Sequence, residues 1–211
     1  MKKILVTGSA GFIGGYLVQE FLDQGHTVVG IDNYSKYGKV VKSYDNHPNY
    51  EFHEGDVKDT KLLKKLAKDC DYIVGLAAMI GGITYFHKYA YDLLAENERI
   101  MASTFDAAID AYKYHKLKKI VILSSSMVFE STTTYPSLEE DVSKIPPPVS
   151  TYGFQKLACE YFCKGAWEQY QLPYTILRPF NCVGVGEKKA KTEVVIKSGD
   201  IKLAMSHVVP D

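Results

Sequence analysis

The sequence predicts an α/β protein built on a doubly wound parallel sheet, and three observations carry that expectation. Short β-branched runs alternate with stretches of helical period along most of the 211 residues. Glycines at 8, 11 and 14 lie between the first strand-like run and the first helical one, the place where such sheets bind dinucleotides. Apolar residues make up 46% of the chain, and 25 basic residues balance 25 acidic ones, which suits a globular core and leaves no basic excess for nucleic acid or an anionic membrane.

The elements follow in order. Ile4-Leu5-Val6, bounded by Gly8, reads as a strand buried on both faces. From Gly11 the apolar positions Phe12, Ile13, Tyr16, Leu17, Phe21 and Leu22 recur at helical spacing until Gly25 ends the helix. Residues 27–31 form the second strand, which ends on Asp32-Asn33 before a Tyr-rich loop reaching Pro48. Strand 50–53, helix 60–68, strand 72–76 and a long helix through 98–115 come next. Strand 119–124, a loop with three prolines at 146–148, a helix over Thr151–Tyr170 and strand Tyr174–Leu177 complete six strands. Strands joined by such helices pair in parallel through right-handed crossovers, so both faces of the sheet are covered. Beyond Arg178 the period fades, and only 200–209 is again predicted helical. Residues 1–180 are read as the cofactor-binding domain and 181–211 as the start of an incomplete substrate-binding lobe.

Glycine at a strand-to-helix turn permits the tight bend, lets a pyrophosphate approach the backbone, and lets helix and strand pack closely. The helix beyond it directs free N–H groups and its positive dipole end at the anion. Gly8, Gly11 and Gly14 therefore predict a dinucleotide site. Asp32 ends the second strand, where a carboxylate accepts hydrogen bonds from an adenosine ribose and repels a 2′-phosphate, so NAD is expected over NADP. Lys36 and Lys39 lie near enough in sequence to soften that repulsion. Asp56, after the third strand, either reads the adenine edge or opens the helix at Thr60.

Three Tyr–Lys pairs, Tyr112/Lys116, Tyr114/Lys118 and Tyr152/Lys156, have the spacing of four that puts both side chains on one helix face. A phenol is a weak base at neutral pH, and a neighbouring ammonium favours its ionised form, which makes such a pair a proton-transfer unit. Ser124, Ser125 and Ser126 compete to supply a hydroxyl at the carboxyl end of the fifth strand, where open α/β sheets place their chemistry.

In TGSAGFIGGYL, IDNYS, GDVKD, LAAMIGG, Asn97, SSSMVFE, TYGFQK, LRPFNCVG and SHVVP the chain resembles, along its whole length, the extended short-chain dehydrogenases of the nucleotide-sugar epimerase and dehydratase family. The resemblance implies a Rossmann fold with NAD as cofactor. It implies a catalytic set of Ser125, four residues before Phe129, with Tyr152 and Lys156, the pair that follows the fifth strand. NAD contacts are implied at Gly8, Gly11, Phe12, Ile13, Gly14, Asp32, Asn33, Asp56, Val57, Leu76, Ala77, Ala78, Tyr152 and Lys156. Ser125, Ser126, Asn181, His207 and Val208 are implied on the substrate side, Asn181 at its diphosphate; the role of His87 stays open.

The chemistry so implied is removal of a sugar hydroxyl proton by Tyr152 while Ser125 polarises the developing carbonyl. Dehydratases of the family carry Asp-Glu directly after the catalytic hydroxyl residue, and here those positions hold Ser126 and Met127. The GDP-fucose synthase type has a cysteine where Met127 stands. The 4-epimerase type is therefore expected, with a keto-sugar nucleotide reductase, a dehydratase of the same family or a catalytically weak NAD-binding module as alternatives. Gly75 departs from the histidine usual before Leu-Ala-Ala. The expected partner is a nucleotide-diphosphate sugar, without nucleic acid or membrane, and the resemblance leaves room for a homodimer. Family members are longer, so a shortened form is expected that binds NAD but turns over slowly unless another chain covers the cleft. The apolar run 73–83 is about half of the ~20 residues a bilayer span needs, and no charged-then-apolar leader precedes the first strand, so a cytoplasmic location is expected. Cys70, Cys159, Cys163 and Cys182 show neither zinc nor disulfide spacing, so reduced thiols and no metal are expected.

Overall fold

A computed structural model describes residues 1–81 and 88–187. Strands β1 (Lys3–Thr7), β2 (Thr27–Asp32), β3 (Tyr50–Glu54), β4 (Tyr72–Gly75), β5 (Lys119–Leu123) and β6 (Tyr174–Leu177) form one sheet in the order β3-β2-β1-β4-β5-β6. Every pairing is parallel. Among the described residues four α-helices flank it: α1 (Phe12–Asp23), α2 (Thr60–Ala67), α3 (Ala90–Tyr114) and α4 (Thr151–Tyr170).

The two faces follow from the period of two along each strand. In β1, Ile4 and Val6 pack with Val18 and Leu22 of α1, whereas Leu5 packs with the face covered by α2, α3 and α4. Ile120 and Ile122 of β5 face that second layer too, with Phe105 and Ala108 of α3 and Cys159 and Cys163 of α4. Side chains also start the helices. Asp59 caps α2 by accepting from the amides of Lys61 and Leu62, and the Ser150 hydroxyl accepts from Gly153 N at the start of α4.

The strand order reverses between β1 and β4, so the crevice where such sheets bind ligands opens at the carboxyl ends of these two strands. There Thr7 lies opposite Gly75. The buried Thr7 Oγ1 accepts from Leu76 N at 3.1 Å and Ala77 N at 3.2 Å. Those amides leave the ladder for the hydroxyl, which is why β4 stops at Gly75 rather than at 76. Helix α3 begins at Ala90, eight residues ahead of the stretch its period suggests. The helix expected over 200–209 lies outside the described residues. No described helix is long and apolar enough to cross a membrane.

Candidate functional site

The turn between β1 and α1 has no room for a side chain at Gly8, nor has the first turn of α1 at Gly14. Gly8 holds φ +71, and a Cβ there would lie 2.9 Å from Ala77 N. A Cβ on Gly14 would lie 2.1 Å from the Gly8 carbonyl oxygen, so the first turn of α1 packs directly on the loop. Gly11 begins α1 without a side-chain cap, and the amides of that first turn have no capping oxygen to bond. Bare backbone over an uncapped helix N-terminus fits the pyrophosphate of a dinucleotide. Phe12 packs edge-on against Tyr16 at 5.5 Å, with Ile13 beside it in the same turn.

Asp32 sits at the end of β2, where the sequence places it, and it holds the loop: one oxygen accepts from Ala10 N at 3.1 Å and the other from Tyr34 N at 2.7 Å. A carboxylate has about four acceptor sites, so two remain for a ribose. Lys39 is paired with Glu54 at 2.7 Å and Lys36 with Glu187 at 3.6 Å, so both lysines that could offset the charge of Asp32 already face carboxylates. Asn33 is exposed and its side chain accepts from Ser35 N. Asp56 accepts from Lys58 N at 2.9 Å and pairs with its ammonium at 3.6 Å. Asp59 takes the helix-opening role that Asp56 was a candidate for. Val57 is buried beside it.

Beyond β4, Leu76, Ala77 and Ala78 run along the crevice, the first two tied to Thr7. The buried Asn97 side chain brackets the next residue, accepting from Met79 N at 2.8 Å and donating to Met79 O at 2.9 Å. Thr7 and Asn97 were not among the expected site residues; a polar side chain in an otherwise apolar strand or helix face is the signal each offers.

Ser125, Tyr152 and Lys156 are 8%, 7% and 6% exposed, and all lie at the β5–α4 end of the crevice. The Ser125 hydroxyl accepts from Met127 N at 3.2 Å and caps the 3-10 turn Ser126–Phe129. Lys156 Nζ donates to Leu123 O at 2.9 Å and lies 5.9 Å from the centre of the Tyr152 ring. The start of α4 presses against that turn, for a Cβ on Gly153 would lie 2.8 Å from Met127 O. Ser124 turns away, its hydroxyl donating to the buried Glu160 at 2.7 Å. Ser126 N donates to Pro179 O at 3.0 Å, which draws the segment after β6, with the exposed Asn181, toward the serines.

The rival pairs are at the other edge of the sheet. Lys116 and Lys118 pair with Asp71, at 3.8 and 3.5 Å, where β4 and β5 begin, and Tyr114 is 70% exposed. His87, His207 and Val208 lie outside the described residues. Burial raises the thiols of Cys70 and Cys159 to about 11 and of Cys163 to about 12, so they stay protonated at neutral pH; Cys182 is exposed. Among the described residues no cluster of His, Cys, Asp or Glu could hold a metal ion.

Comparison with known proteins identifies the family of the chain. Residues 4–199 match the NAD dependent epimerase/dehydratase family. The UDP-glucose 4-epimerase of Halalkalibacterium halodurans is 32% identical over 210 residues, covering 98% of this chain and 57% of that protein. Human dTDP-D-glucose 4,6-dehydratase is 27% identical over 189 residues, covering 87% and 52%. The crystal structure of UDP-glucuronic acid 4-epimerase from Bacillus cereus with UDP-glucuronic acid and NAD aligns at a TM-score of 0.72 and 30% identity, over 86% of this chain and 57% of that one. The chain thus spans about half the length of the curated relatives it matches.

Proposed function

The chain belongs to the NAD dependent epimerase/dehydratase family, and from that premise we propose that it epimerises a nucleotide-diphosphate sugar through a transient keto-sugar, with Ser125, Tyr152 and Lys156 as its catalytic residues. NAD, the cofactor of the family, supplies the hydride acceptor and donor when bound. The glycine loop, the amides of the first turn of α1 and Asp32 would hold it, with Asp56, Val57 and residues 76–78 along its adenine and nicotinamide sides.

The remaining roles belong to the chain. The phenolic oxygen of Tyr152 takes the proton of the reacting sugar hydroxyl and returns it to the same oxygen once the keto-sugar has turned and its carbon is reduced on the other face. Lys156 has three N–H donors and gives one to Leu123 O, so two remain for the phenolic oxygen and the cofactor ribose. The Ser125 oxygen is acceptor to Met127 N, which leaves its own proton to donate to the sugar oxygen as a carbonyl forms there. Residues 181–211 would begin the substrate lobe; by the family resemblance Asn181 would contact the substrate diphosphate and His207 and Val208 the nucleotide.

The observation that favours epimerisation over dehydration is the turn after Ser125. Its first two residues are Ser126 and Met127, neither of which transfers protons as an acid–base pair must to eliminate water. Incubation with NAD and a panel of UDP-, GDP-, dTDP- and CDP-sugars, followed by mass spectrometry and NMR, tests this. The expected product is an isomer of unchanged mass without net NADH. A product lighter by one water makes the chain a dehydratase, and stoichiometric formation of NADH makes it an oxidoreductase, a keto-sugar reductase running in reverse.

A further inference from the structure

Helix α4 presents Tyr152, Lys156 and Glu160 at intervals of four on one face, and the third of them is a fully buried carboxylate. Glu160 is held on three bonds. One oxygen accepts from Arg178 Nε and the other from Arg178 Nη2, at 2.7 and 2.8 Å, in the two-pronged geometry that fixes a guanidinium in plane. The Ser124 hydroxyl donates to the first oxygen at 2.7 Å and lies 3.5 Å from the Lys156 carbonyl oxygen. Arg178 continues outward, giving Nη1 to Glu139 O at 2.8 Å and stacking its guanidinium 5.3 Å from the Phe129 ring.

This network joins the pieces that carry the proposed catalytic groups. Ser124 lies between Leu123, whose carbonyl receives the Lys156 ammonium, and Ser125. Phe129 ends the turn that Ser125 caps. Arg178 begins the segment whose Pro179 carbonyl receives Ser126 N. A slip of α4 along the sheet would strain the Glu160 bonds together with the bond from Lys156 to Leu123. Removing one partner of a buried pair leaves the other charge uncompensated, so the loss of either Glu160 or Arg178 alone is costly.

We propose that Glu160 is a positioning residue, clamped by Arg178 and Ser124, that sets the register of α4 against β5 and thereby holds Lys156 and Tyr152 in place for cofactor and substrate. The proposal rests on the reading of Ser125, Tyr152 and Lys156 given above. Glu160 touches neither reactant; it acts through its helix. A displacement of about 1 Å in a positioned group costs up to about a hundredfold in rate, and the loss of one ribose contact by Lys156 costs about tenfold in cofactor affinity.

The test is a cycle of Ser124→Ala, Glu160→Gln and their double variant in the full chain, with NADH affinity measured by fluorescence titration well below each melting temperature. Ser124→Ala removes one hydroxyl and leaves Ser125 intact, so it folds where the carboxylate variant fails. The double variant Glu160→Leu/Arg178→Met, which removes both charges at similar volume, separates positioning from stability. Positioning predicts that NADH binds about tenfold more weakly to Ser124→Ala and Glu160→Gln. It predicts that their effects do not add, and that Glu160→Leu/Arg178→Met melts near the parent yet stays impaired in NADH binding. Parental NADH affinity in Ser124→Ala, or in the charge-free double variant, overturns the proposal while leaving the catalytic reading in place. A parent that binds no NADH overturns both.

Discussion

Two glycines, each inside a helix, should respond oppositely to the same added methyl group. Gly165 of α4 is exposed, and a Cβ there meets nothing within 4 Å. Alanine is favoured over glycine within a helix by about 0.8–1.0 kcal/mol, and a domain of this size gains about 2–4 °C in Tm per kcal/mol, so Gly165→Ala should melt about 2–4 °C higher and bind NAD as before. Gly14 stands in the first turn of α1, where a Cβ would fall 2.1 Å from the Gly8 oxygen and 3.0 Å from both Gly8 C and Ser9 Cα. Contact begins near about 3.5 Å, and all three obstructing atoms are backbone, so no rotamer change relieves the clash and the loop must move by about 1 Å. Overpacking of this kind costs about 1–3 kcal/mol, which cancels or exceeds the helical gain. It also lifts the loop amides off the pyrophosphate, and each tenfold loss in NAD affinity corresponds to about 1.4 kcal/mol. Thermal melts with and without NAD, together with calorimetric titration of NAD, read both quantities. Gly14→Ala binding NAD as tightly as the parent would refute the cradle, and Gly165→Ala melting below the parent would refute the packing argument behind the comparison.

Three further outcomes are expected. Tyr152→Phe should abolish isomer formation while NAD affinity stays within about twofold, because only the proton-carrying oxygen is lost; the same change at Tyr112 should leave turnover as it was, and loss of activity there would point to the wrong pair. Asp32→Ala should narrow the preference for NAD over NADP and weaken both, because the same carboxylate holds the amides of Ala10 and Tyr34; tighter NADP than NAD binding by the unaltered protein would defeat the assignment. At the amino ends of the strands, the Lys3 amide at 3.0 Å and the nearby lysines hold the Asp71 carboxyl below its usual 3.8. A carboxylate depressed on folding stabilises above its unfolded pKa and loses that contribution as pH falls through the folded one. Asp71→Asn should therefore cost about 1 kcal/mol at pH 7 and progressively less as pH falls through the folded pKa of the carboxyl, and a difference in denaturant midpoint that does not shrink at low pH would contradict the sign.

What could be read from the chain was local. The strands announce themselves because residues such as Ile4, Leu5 and Val6 are buried on both faces, and the glycine loop because its spacing is a backbone requirement. The start of α3 was hidden because over 90–97 its buried residues are Leu93 and the polar Asn97, which leaves no apolar period to read. The choice of Ser125 among three consecutive serines came from family resemblance; in the structure Ser124 is spent on Glu160, a partner 36 residues away that no local pattern exposes. Gly75, an oddity in the sequence, has a packing reason, since a Cβ there would lie 2.7 Å from Ile122 Cδ1.

Strand direction decides which of the equally spaced Tyr–Lys pairs can do chemistry. All six strands run parallel, so their carboxyl ends share one edge. Along that edge lie Gly8 just past β1, Asp32 closing β2, Leu76 and Ala77 past β4, Ser124 and Ser125 past β5, and Arg178 past β6. Helix α4 enters the same edge at its amino end, which delivers Tyr152 and Lys156 to Leu123 and Ser125. Helix α3 ends at Tyr114 at the opposite edge, so Lys116 and Lys118 fall beyond it and pair with Asp71, where the sheet offers only strand starts. Under the function proposed above, identical spacing would serve proton transfer at one edge, while at the other the two lysines pair with Asp71. The difference is set by where each helix starts relative to a parallel sheet.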